Sequence, residues 1–444
     1  MTEGAEAYPR RGVAWYALGV LTVCYTFSYV DRQILAFLVT PLKQDLHISD
    51  TEIGLLQGIA FALFYAFFGL PMGMLADRFN RRNIVLAGLL VWSFMTMISA
   101  AARSYATLAL ARMGVGIGEA VINPCAFSLI SDYFPKERLS SALSVYMMGI
   151  QLGAGLALII GGVVVHAISS MPPIEIPGYG LIAPWRLTFL AVGAPGLLIA
   201  ILLATVKEPA RRSSPGAAQA ANASVPLPVA LAEIASRWQP LLGLAIAIGC
   251  QALSNYSLLG WGPTFFERVH AWPRNQTGLV LGVCAIGSGC IGLYVGGRLA
   301  DAWQRAGRMD ATLRVVIISL IGVGTTLPIA FLLPAASGTV AMLAIAVFFV
   351  GLPIGCGYAG LQFILPNRIR GLGSAMVILI VNLVGLGFGS FLPGFFTDFL
   401  FGDELKVGYS IALTVALSST VGLTVILLTL RPYRRHYALM NAPA

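Results

Sequence analysis

Four charged residues lie inside long apolar stretches of this sequence, and they are the residues best placed to do chemistry. Arg112 and Glu119 interrupt an apolar run that extends over about 105–133. The adjacent pair Asp31 and Arg32 interrupts the first apolar run. On insertion scales an arginine at the centre of a membrane-spanning helix costs roughly +2.5 to +3.5 kcal/mol, and such charges usually face a partner or a water-lined cavity. The four residues therefore predict a charged site inside an apolar protein.

The spacing of these charges suggests their roles. Arg112 and Glu119 are seven residues apart, which places both on one face of a helix, roughly 10 Å apart. We expect Asp31 to meet them. A buried carboxylate whose contact with an arginine forms and breaks can load and release a proton. We therefore predict proton coupling by Asp31 and Glu119, and binding of an anionic substrate group by Arg112. A purely structural clamp of Arg112 and Glu119 is the alternative.

Arg32 follows Asp31 directly, so the two side chains point about 100° apart on a helix and cannot face the same spot. We predict that Arg32 also binds substrate. The alternative is a local structural ion pair with Asp31, in which the arginine reaches towards the membrane surface.

The composition identifies lipid as the main solvent of the chain. Of its 444 residues, 57% are hydrophobic and 11% charged, whereas soluble domains carry about 25% charged residues. The mean hydropathy is +0.82. The net charge of +9 is expected to come from arginines and lysines that anchor cytoplasmic loops, and not from a nucleic-acid surface.

The apolar runs are long enough to predict twelve membrane-spanning helices in an all-α integral membrane protein. They cover about 13–42, 51–76, 84–102, 105–133, 141–167, 186–206, 239–266, 276–300, 312–334, 338–365, 372–400 and 407–430. Most Lys and Arg residues between them fall on one side if both termini are cytoplasmic, which predicts a multi-pass protein of the inner cell membrane. The first run lacks a small-residue cleavage site and is expected to remain as the first span.

The longest polar break divides the chain into two predicted bundles. It is rich in Ala, Ser and Pro between about 207 and 226, and 229–238 could form a short interfacial helix. We predict a six-helix bundle over 1–206, a cytoplasmic linker over 207–238, and a second bundle with a short basic tail over 239–444. A second break, 169–184, is either an ordered cap or a long loop, and we favour the loop.

The two halves repeat each other in a single register, which favours two pseudo-symmetric bundles. The residues that recur at one constant separation are Gly54, Gly58, Gly73, Leu75, Ala76 and Asp77 in the first half and Gly278, Gly282, Gly297, Leu299, Ala300 and Asp301 in the second.

The repeated segment resembles the cytoplasmic loop signature of the major facilitator superfamily. The two copies are 73-GMLADRFNRR-82 and 297-GRLADAWQR-305, and the second departs from the pattern at Ala302 and Gln304. The resemblance implies the twelve-helix transporter fold and a latch between the halves at the cytoplasmic face. The predicted residues of this cytoplasmic gate are Gly73, Asp77, Arg78, Arg81, Arg82 and Asp301.

Within that superfamily the chain resembles the spinster family of lipid transporters, which includes transporters of sphingosine-1-phosphate and lysophospholipids. The resemblance rests on 29-YVDR-32, 112-RMGVGIGEA-120, 134-FPKER-138 and 261-WGPTFF-266. It implies a lipid-like substrate and proton coupling. Organic-anion symporters of the superfamily also carry a Tyr-x-Asp-Arg first helix, and this alternative stays open.

The second half lacks the charges of the first, since Asn255 stands opposite Asp31 at the separation of the repeat, and a separate alignment of the motifs places Cys356 opposite Glu119. We therefore expect the proton and anion chemistry in the first half and an apolar-aromatic wall for the lipid tail in the second. The residues predicted for that wall are Asn255, Tyr256, Trp261, Phe265, Phe266 and Tyr358, with ordinary helix packing as the alternative for each.

The sequence predicts a proton-coupled transporter of an amphiphilic anion, either a lysolipid or a sphingoid phosphate. The alternatives are an organic-anion symporter and a lipid sensor that does not transport. No Cys or His spacing suits a metal, and no set of nucleophile and base suggests an enzyme. We expect no cofactor and no nucleic acid as partner. The expected partners of the monomer are its substrate, protons and the bilayer.

Overall fold

The computed structural model describes residues 8–172, 174–176, 180–211, 227–366 and 369–440. Twelve helices in this part of the chain are long and apolar enough to cross a membrane. They span Arg11–Phe37, Asp50–Ala76, Arg81–Ser99, Tyr105–Tyr133, Ser141–Ser169, Pro184–Ala204, Trp238–His270, Arg274–Arg305, Ala311–Leu332, Ala336–Gln362, Leu372–Phe401 and Glu404–Met440. The prediction of an all-α protein with twelve spanning helices is confirmed.

Several spans consist of consecutive helices that meet at a break. The helices of the first half are α1 (Arg11–Phe37), α2 (Val39–Leu46), α3 (Asp50–Gln57), α4 (Ile59–Arg78), α5 (Arg81–Ser99), α6 (Tyr105–Glu119), α7 (Ile122–Tyr133), α8 (Lys136–Ser169) and α9 (Pro184–Ala204). The fourth span is thus α6 followed by α7, and Glu119 is the last residue of α6.

The second half also contains spans that consist of consecutive helices. Its helices are α10 (Leu227–Ala235), α11 (Trp238–His270), α12 (Arg274–Arg305), α13 (Ala311–Leu332), α14 (Ala336–Gly351), α15 (Pro353–Gln362), α16 (Arg370–Asn382), α17 (Phe388–Phe395) and α18 (Val407–Met440). Two π-helical segments, Leu383–Gly387 and Phe396–Phe401, flank α17, and a 3₁₀ turn covers Glu404–Lys406. Short π-helical insertions widen a helix locally and often occur at functional sites.

The predicted polar breaks contain ordered structure. Within 169–184, β1 (Ile174–Ile176) pairs antiparallel with β2 (Gly180–Ile182), so this break is an ordered hairpin, where we had favoured an irregular loop. In the linker, α10 lies close to the short helix predicted over 229–238. The central part of that linker, 212–226, lies outside the described residues.

The chain forms two compact units whose boundaries differ from the two sequence halves. The first unit comprises Met1–Ile34 and Phe64–Ser214, and the second comprises Leu35–Leu63 and Pro215–Ala444. The segment 35–63 therefore packs with the second unit, although both of its ends continue into the first. The division into bundles at 1–206 and 239–444 stays a prediction from the repeat.

Glycines allow the segment 35–63 to pack closely against α17 and its flanking π-helical segment. A Cβ atom on Gly54 would lie 2.7 Å from the carbonyl oxygen of Ser390, and one on Gly58 would lie 2.3 Å from that of Gly387. Both distances are shorter than any side chain tolerates, so only glycine fits at these positions. This contact lies within the second unit.

Candidate functional site

Two buried ion pairs join α1 to α6 inside the first unit. Arg112 Nη1 lies 3.1 Å from Asp31 Oδ1, and Arg32 Nε lies 2.5 Å from Glu119 Oε2. The side chain of Glu119 is 0% exposed and that of Arg32 is 12% exposed. The structure thus brings together all four of the charged residues singled out in the sequence, each arginine pairing with the carboxylate of the other helix.

The pairing follows from the geometry of the two helices. On α1 the charges are adjacent in sequence and point in different directions, whereas on α6 they are two turns apart on one face. With the observed rotation of α1 against α6, Asp31 reaches Arg112, and Arg32 reaches Glu119 at the end of α6. The expected meeting of Asp31 with Arg112 and Glu119 takes the form of two ion pairs, one between Asp31 and Arg112 and one between Glu119 and Arg32.

Asp31 is held by a third residue that sequence reasoning missed. Thr96, on α5, donates a short hydrogen bond from its hydroxyl to Asp31 Oδ2, while Arg112 donates to Oδ1. Both oxygens of Asp31 are therefore engaged. A threonine in an apolar run is too common to single out from sequence, because its hydroxyl can bond to its own helix.

The site retains hydrogen-bonding capacity on both ion pairs. Glu119 Oε1 and Arg112 Nε are buried and have no hydrogen-bond partner within the described ranges. A buried polar atom without a partner is costly, so such atoms commonly mark a place where water, a proton or a ligand binds. One carboxylate oxygen and one guanidinium N–H are therefore available to a proton and to an anionic group, respectively.

Tyrosines surround the guanidinium of Arg32. Its Cζ lies 4.9 Å from the ring centroid of Tyr65 and 5.4 Å from that of Tyr29, distances at which a cation is attracted to an aromatic face. Asn123 Nδ2 donates to Tyr65 Oη at 3.1 Å, and Tyr146 Oη donates to Asn123 Oδ1 at 2.9 Å. Arg32 thus lies between Glu119 and a hydrogen-bonded aromatic group. Tyr65, Asn123 and Tyr146 are polar side chains within apolar runs, and this was the sequence signal by which the group could have been found.

The residues predicted for an apolar wall divide into two groups. Trp261, Phe265 and Phe266 are 0%, 1% and 0% exposed, and the Trp261 indole donates to the carbonyl of Ser390 at 2.7 Å. Their prediction as substrate-binding residues is corrected, because they are packed interior side chains of the second unit. Asn255, Tyr256 and Tyr358 are half-buried in that unit and stay predictions.

Two arginines of the predicted cytoplasmic gate, Arg81 and Arg82, make their described contacts within the first unit. Arg81 is 2% exposed and forms ion pairs with Asp132 and, at 2.7 Å, with Glu208. Arg82 Nη1 donates to the carbonyl of Ala204 at 2.9 Å. Arg81 is therefore held by ion pairs within one unit, and its role in a gate stays a prediction.

The other predicted gate residues have fewer described contacts. Arg78 and Asp301 are exposed, and the Asp301 carbonyl accepts a hydrogen bond from Arg305 of its own helix. The side chain of Asp77 lies outside the described residues, and Gly73 carries none. The gate role of this set remains a prediction.

The described part of the chain contains no group of three or more His, Cys, Asp or Glu residues that could hold a metal ion. The six cysteines are free thiols.

Comparison with known families decides what kind of protein carries this site. The family model described as Major Facilitator Superfamily matches residues 21–390. The chain belongs to the major facilitator superfamily. Members of this family are transporters, and the prediction made from the repeated loop signature is confirmed.

Several known proteins are similar to this chain. A protein named MFS-type efflux pump from Mycolicibacterium smegmatis is 32% identical, over 98% of this chain and 96% of that protein. The probable L-galactonate transporter of Escherichia coli is 26% identical, over 77% of this chain and 72% of its own length. The sphingosine-1-phosphate transporter SPNS2 of Xenopus tropicalis is 35% identical over 35% of this chain and 31% of that protein.

A solved structure narrows the resemblance within the superfamily. The crystal structure of a bacterial homologue of the human lysosomal transporter Spinster, in an inward-facing and unoccupied conformation, superposes with a TM-score of 0.79. It is 25% identical and the match covers 98% of this chain and 100% of that chain. This protein is thus a major facilitator transporter of the spinster type, as its sequence motifs predicted.

Proposed function

We propose that this protein is a proton-coupled secondary transporter of an amphiphilic anion, of the lysolipid or sphingoid-phosphate class. The observation that carries the proposal is the pair of buried ion pairs, in which Arg112 Nε and Glu119 Oε1 keep an unused donor and an unused acceptor. The similarity to a sphingosine-1-phosphate transporter supports the substrate class.

The ion pairs supply a mechanism for coupling. An anionic head group that binds Arg112 or Arg32 competes with the carboxylate already bound there. The displaced carboxylate is then buried without its partner, and a buried unpaired charge is costly enough that the group takes up a proton. Substrate binding and proton uptake are thereby linked at Asp31 and Glu119. Release of the substrate restores the ion pair and expels the proton.

The second candidate is a symporter of small organic anions. The similarity to a probable L-galactonate transporter favours it, and the same ion pairs would serve a sugar-acid carboxylate. The two candidates differ in the substrate's apolar part. A lysolipid needs a long apolar surface beside Arg112, whereas a sugar acid needs hydroxyl partners.

We also propose the orientation predicted from the charge distribution, with both termini in the cytoplasm and the protein in the inner cell membrane as a monomer. Twelve spans and their basic connecting segments support it.

The first test replaces Glu119 with Gln and measures transport of a lysolipid into proteoliposomes with and without a pH gradient. We expect Glu119→Gln to bind the lysolipid but to lose the component of transport driven by the pH gradient. Asp31→Asn should behave like it. Arg112→Ala should instead remove binding and lower stability by about 3–5 kcal/mol, because it leaves Asp31 as an unpaired buried charge.

A matched control is Asp132→Asn, which neutralises another arginine-paired carboxylate of the first unit, outside this site. It should keep the response to the pH gradient. If Glu119→Gln and Asp31→Asn both transport with unchanged pH dependence, the ion pairs are structural and the proposal is wrong. Transport of a sugar acid in place of a lysolipid would favour the second candidate.

A further inference from the structure

Asn123 lies just beyond the helix break that follows Glu119. Helix α6 ends at Glu119, α7 begins at Ile122, and Asn123 is the second residue of α7. An asparagine so near a helix start often caps its own backbone, but the described hydrogen bonds of this side chain go to two other helices. Its half-buried amide therefore links elements of the first unit to one another.

The Asn123 amide uses both of its ends, and it does so with two different helices. Nδ2 donates a hydrogen bond to Tyr65 Oη of α4 at 3.1 Å, and Oδ1 accepts one from Tyr146 Oη of α8 at 2.9 Å. A side chain with only donors or only acceptors could not make both bonds in this way. The amide thus holds two tyrosine hydroxyls on opposite ends of one group.

The Tyr65 bond leads directly to the arginine of the candidate site. The Tyr65 ring centroid lies 4.9 Å from Cζ of Arg32, within the range of a cation–π contact. The hydrogen bond from Asn123 holds the hydroxyl end of this ring, and the face of the same ring meets the guanidinium. The orientation of the ring, and with it one side of Arg32, therefore depends on Asn123.

The Tyr146 bond leads back to the same arginine through packed rings. Tyr146 stacks on Tyr25 with ring centroids 5.0 Å apart, and Tyr25 meets Tyr29 edge to face at 5.5 Å. The Tyr29 ring centroid lies 5.4 Å from Cζ of Arg32. Tyr25, Tyr29 and Tyr146 are all buried, and such buried aromatic pairs prefer specific geometries. A continuous chain of contacts thus starts at Arg32, passes through Asn123 and ends at Arg32.

We propose that Asn123 is a positioning residue of the anion-binding site. Through Tyr65 and Tyr146 it fixes the rings against which Arg32 lies, and so it sets the pose in which Arg32 meets an anionic head group. The span that supplies Glu119 to the arginine also holds the surrounding rings in place. The effect on substrate binding rests on the proposed function, whereas the effect on the position of Arg32 does not.

The position of Arg32 can be measured without any substrate. The Nε–H group of Arg32 donates to Glu119, and its nuclear magnetic resonance signal depends on that bond and on the tyrosine rings nearby. Arginine labelled with ¹⁵N in the purified full chain shows this signal, and Arg32→Lys identifies it by its loss. We expect Asn123→Leu, which has a similar size and neither donor nor acceptor, to shift the Arg32 signal.

A matched control removes a tyrosine hydroxyl elsewhere in the same unit. Tyr133 is buried, and its hydroxyl donates to the carbonyl of Lys207, away from the candidate site. Tyr133→Phe should lower the unfolding temperature and leave the Arg32 signal in place. A shift that appears equally in Tyr133→Phe would show a general loosening of the unit and would overturn the proposal.

The consequence for substrate is measured as the Kd of a lysophosphatidic acid. Asn123→Leu should weaken binding about fivefold, the factor that one typical hydrogen bond contributes, and Tyr133→Phe should bind like the wild type. Tyr65→Phe should weaken binding by less. Adding Tyr65→Phe to Asn123→Leu should cost little more, because the bond between the two residues is already absent, and this non-additivity identifies their coupling.

The outcomes separate this proposal from the proposed function. An unchanged Arg32 signal in Asn123→Leu would overturn it, and so would equal binding by Asn123→Leu and a wild type that binds the lysolipid. A wild type that does not bind the lysolipid, with a shifted signal in Asn123→Leu, would refute the substrate class and support the positioning of Arg32. Should Asn123→Leu fail to fold, Tyr65→Phe and Tyr146→Phe each remove one of the two bonds, and an unshifted signal in both would overturn the proposal.

Discussion

Arg32 is the central residue of the candidate site, because it contacts Glu119 on one side and tyrosine rings on the other. The ion pair fixes one edge of the guanidinium, through Nε. The rings of Tyr29 and Tyr65 attract the cationic guanidinium, although they carry no negative charge of their own. In the proposed function, such surroundings would hold the arginine in place when its carboxylate is protonated and would keep it available to an anionic substrate.

The contribution of the Tyr65 ring can be separated from that of its hydroxyl. Tyr65→Leu removes the aromatic face, and we expect it to lower stability and lysolipid binding, with a loss of about 0.5–2 kcal/mol for the cation–π contact. Tyr65→Phe keeps the ring and removes the hydroxyl that accepts the hydrogen bond from Asn123, so its effect should be smaller. Thermal unfolding and lysolipid binding measure both. If Phe proves as damaging as Leu, the Asn123 hydrogen bond, and not the ring, positions Arg32.

Sequence reasoning could identify the four charges of the site but not their pairing. Charges in apolar runs are visible because each is costly in lipid. Which arginine reaches which carboxylate depends on how α1 rotates against α6, and the spacing within one helix does not determine that. Trp261 and Phe265 were misplaced for a related reason, since an aromatic residue in an apolar run suits a packed interior as well as a cavity wall.

At the scale of elements, the spans were predictable from hydropathy, whereas their breaks were not. Ala336–Gly351 and Pro353–Gln362 form one apolar run in sequence, yet the structure separates them at Leu352. The π-helical segments around α17 likewise leave no periodic signature, because they alter the hydrogen-bonding pattern and not the composition. The break after Glu119 likewise could not be predicted from sequence, and it is the break that lies at the candidate site.

The start of α13 provides a prediction about pH. The Asp310 carboxylate accepts hydrogen bonds from Arg314 Nε at 3.0 Å and from Arg434 Nη2 at 2.5 Å. Burial opposes ionisation of Asp310, but the two arginines outweigh it and hold the pKa of this carboxyl below its usual range. Since the folded pKa is lower than the unfolded one, the stabilisation is present above about pH 3.9. It is lost as the pH falls through the folded pKa.

Asp310→Asn should therefore be less thermostable than the wild type at pH 7 and at pH 5, and the difference should shrink once the pH falls below about 3.9. Thermal unfolding in detergent across this range measures it. Asp301→Asn changes an exposed carboxylate on the preceding helix and should differ little from wild type at any pH. A difference for Asp310→Asn that stays constant down to the lowest pH would contradict the assignment.

At the scale of the whole molecule, the internal repeat predicts two halves, while contacts assign the segment 35–63 to the second unit. The repeat reflects the internal symmetry of the sequence, but it does not determine which helices a segment such as 35–63 packs against. Here a charged network holds the segment. Asp50 is fully buried and binds Lys43 Nζ at 2.8 Å and both terminal nitrogens of Arg268, at 2.6 and 2.9 Å. Glu404 lies 2.7 Å from Lys43 Nζ and 3.2 Å from Arg268 Nη2.

The burial of the two carboxylates predicts unequal effects when each is neutralised. Asp50→Asn removes the bidentate carboxylate partner of Arg268, whose side chain is 7% exposed. Breaking such a buried ion pair costs about 3–5 kcal/mol. The side chain of Glu404 is 58% exposed, so Glu404→Gln should cost less than about 1 kcal/mol. Hydrogen exchange measured by mass spectrometry should therefore rise over 38–57 in Asp50→Asn and stay near the wild-type level in Glu404→Gln. Unchanged exchange in Asp50→Asn would mean that the glycine contacts with α17 hold the segment on the second unit without the ion pairs.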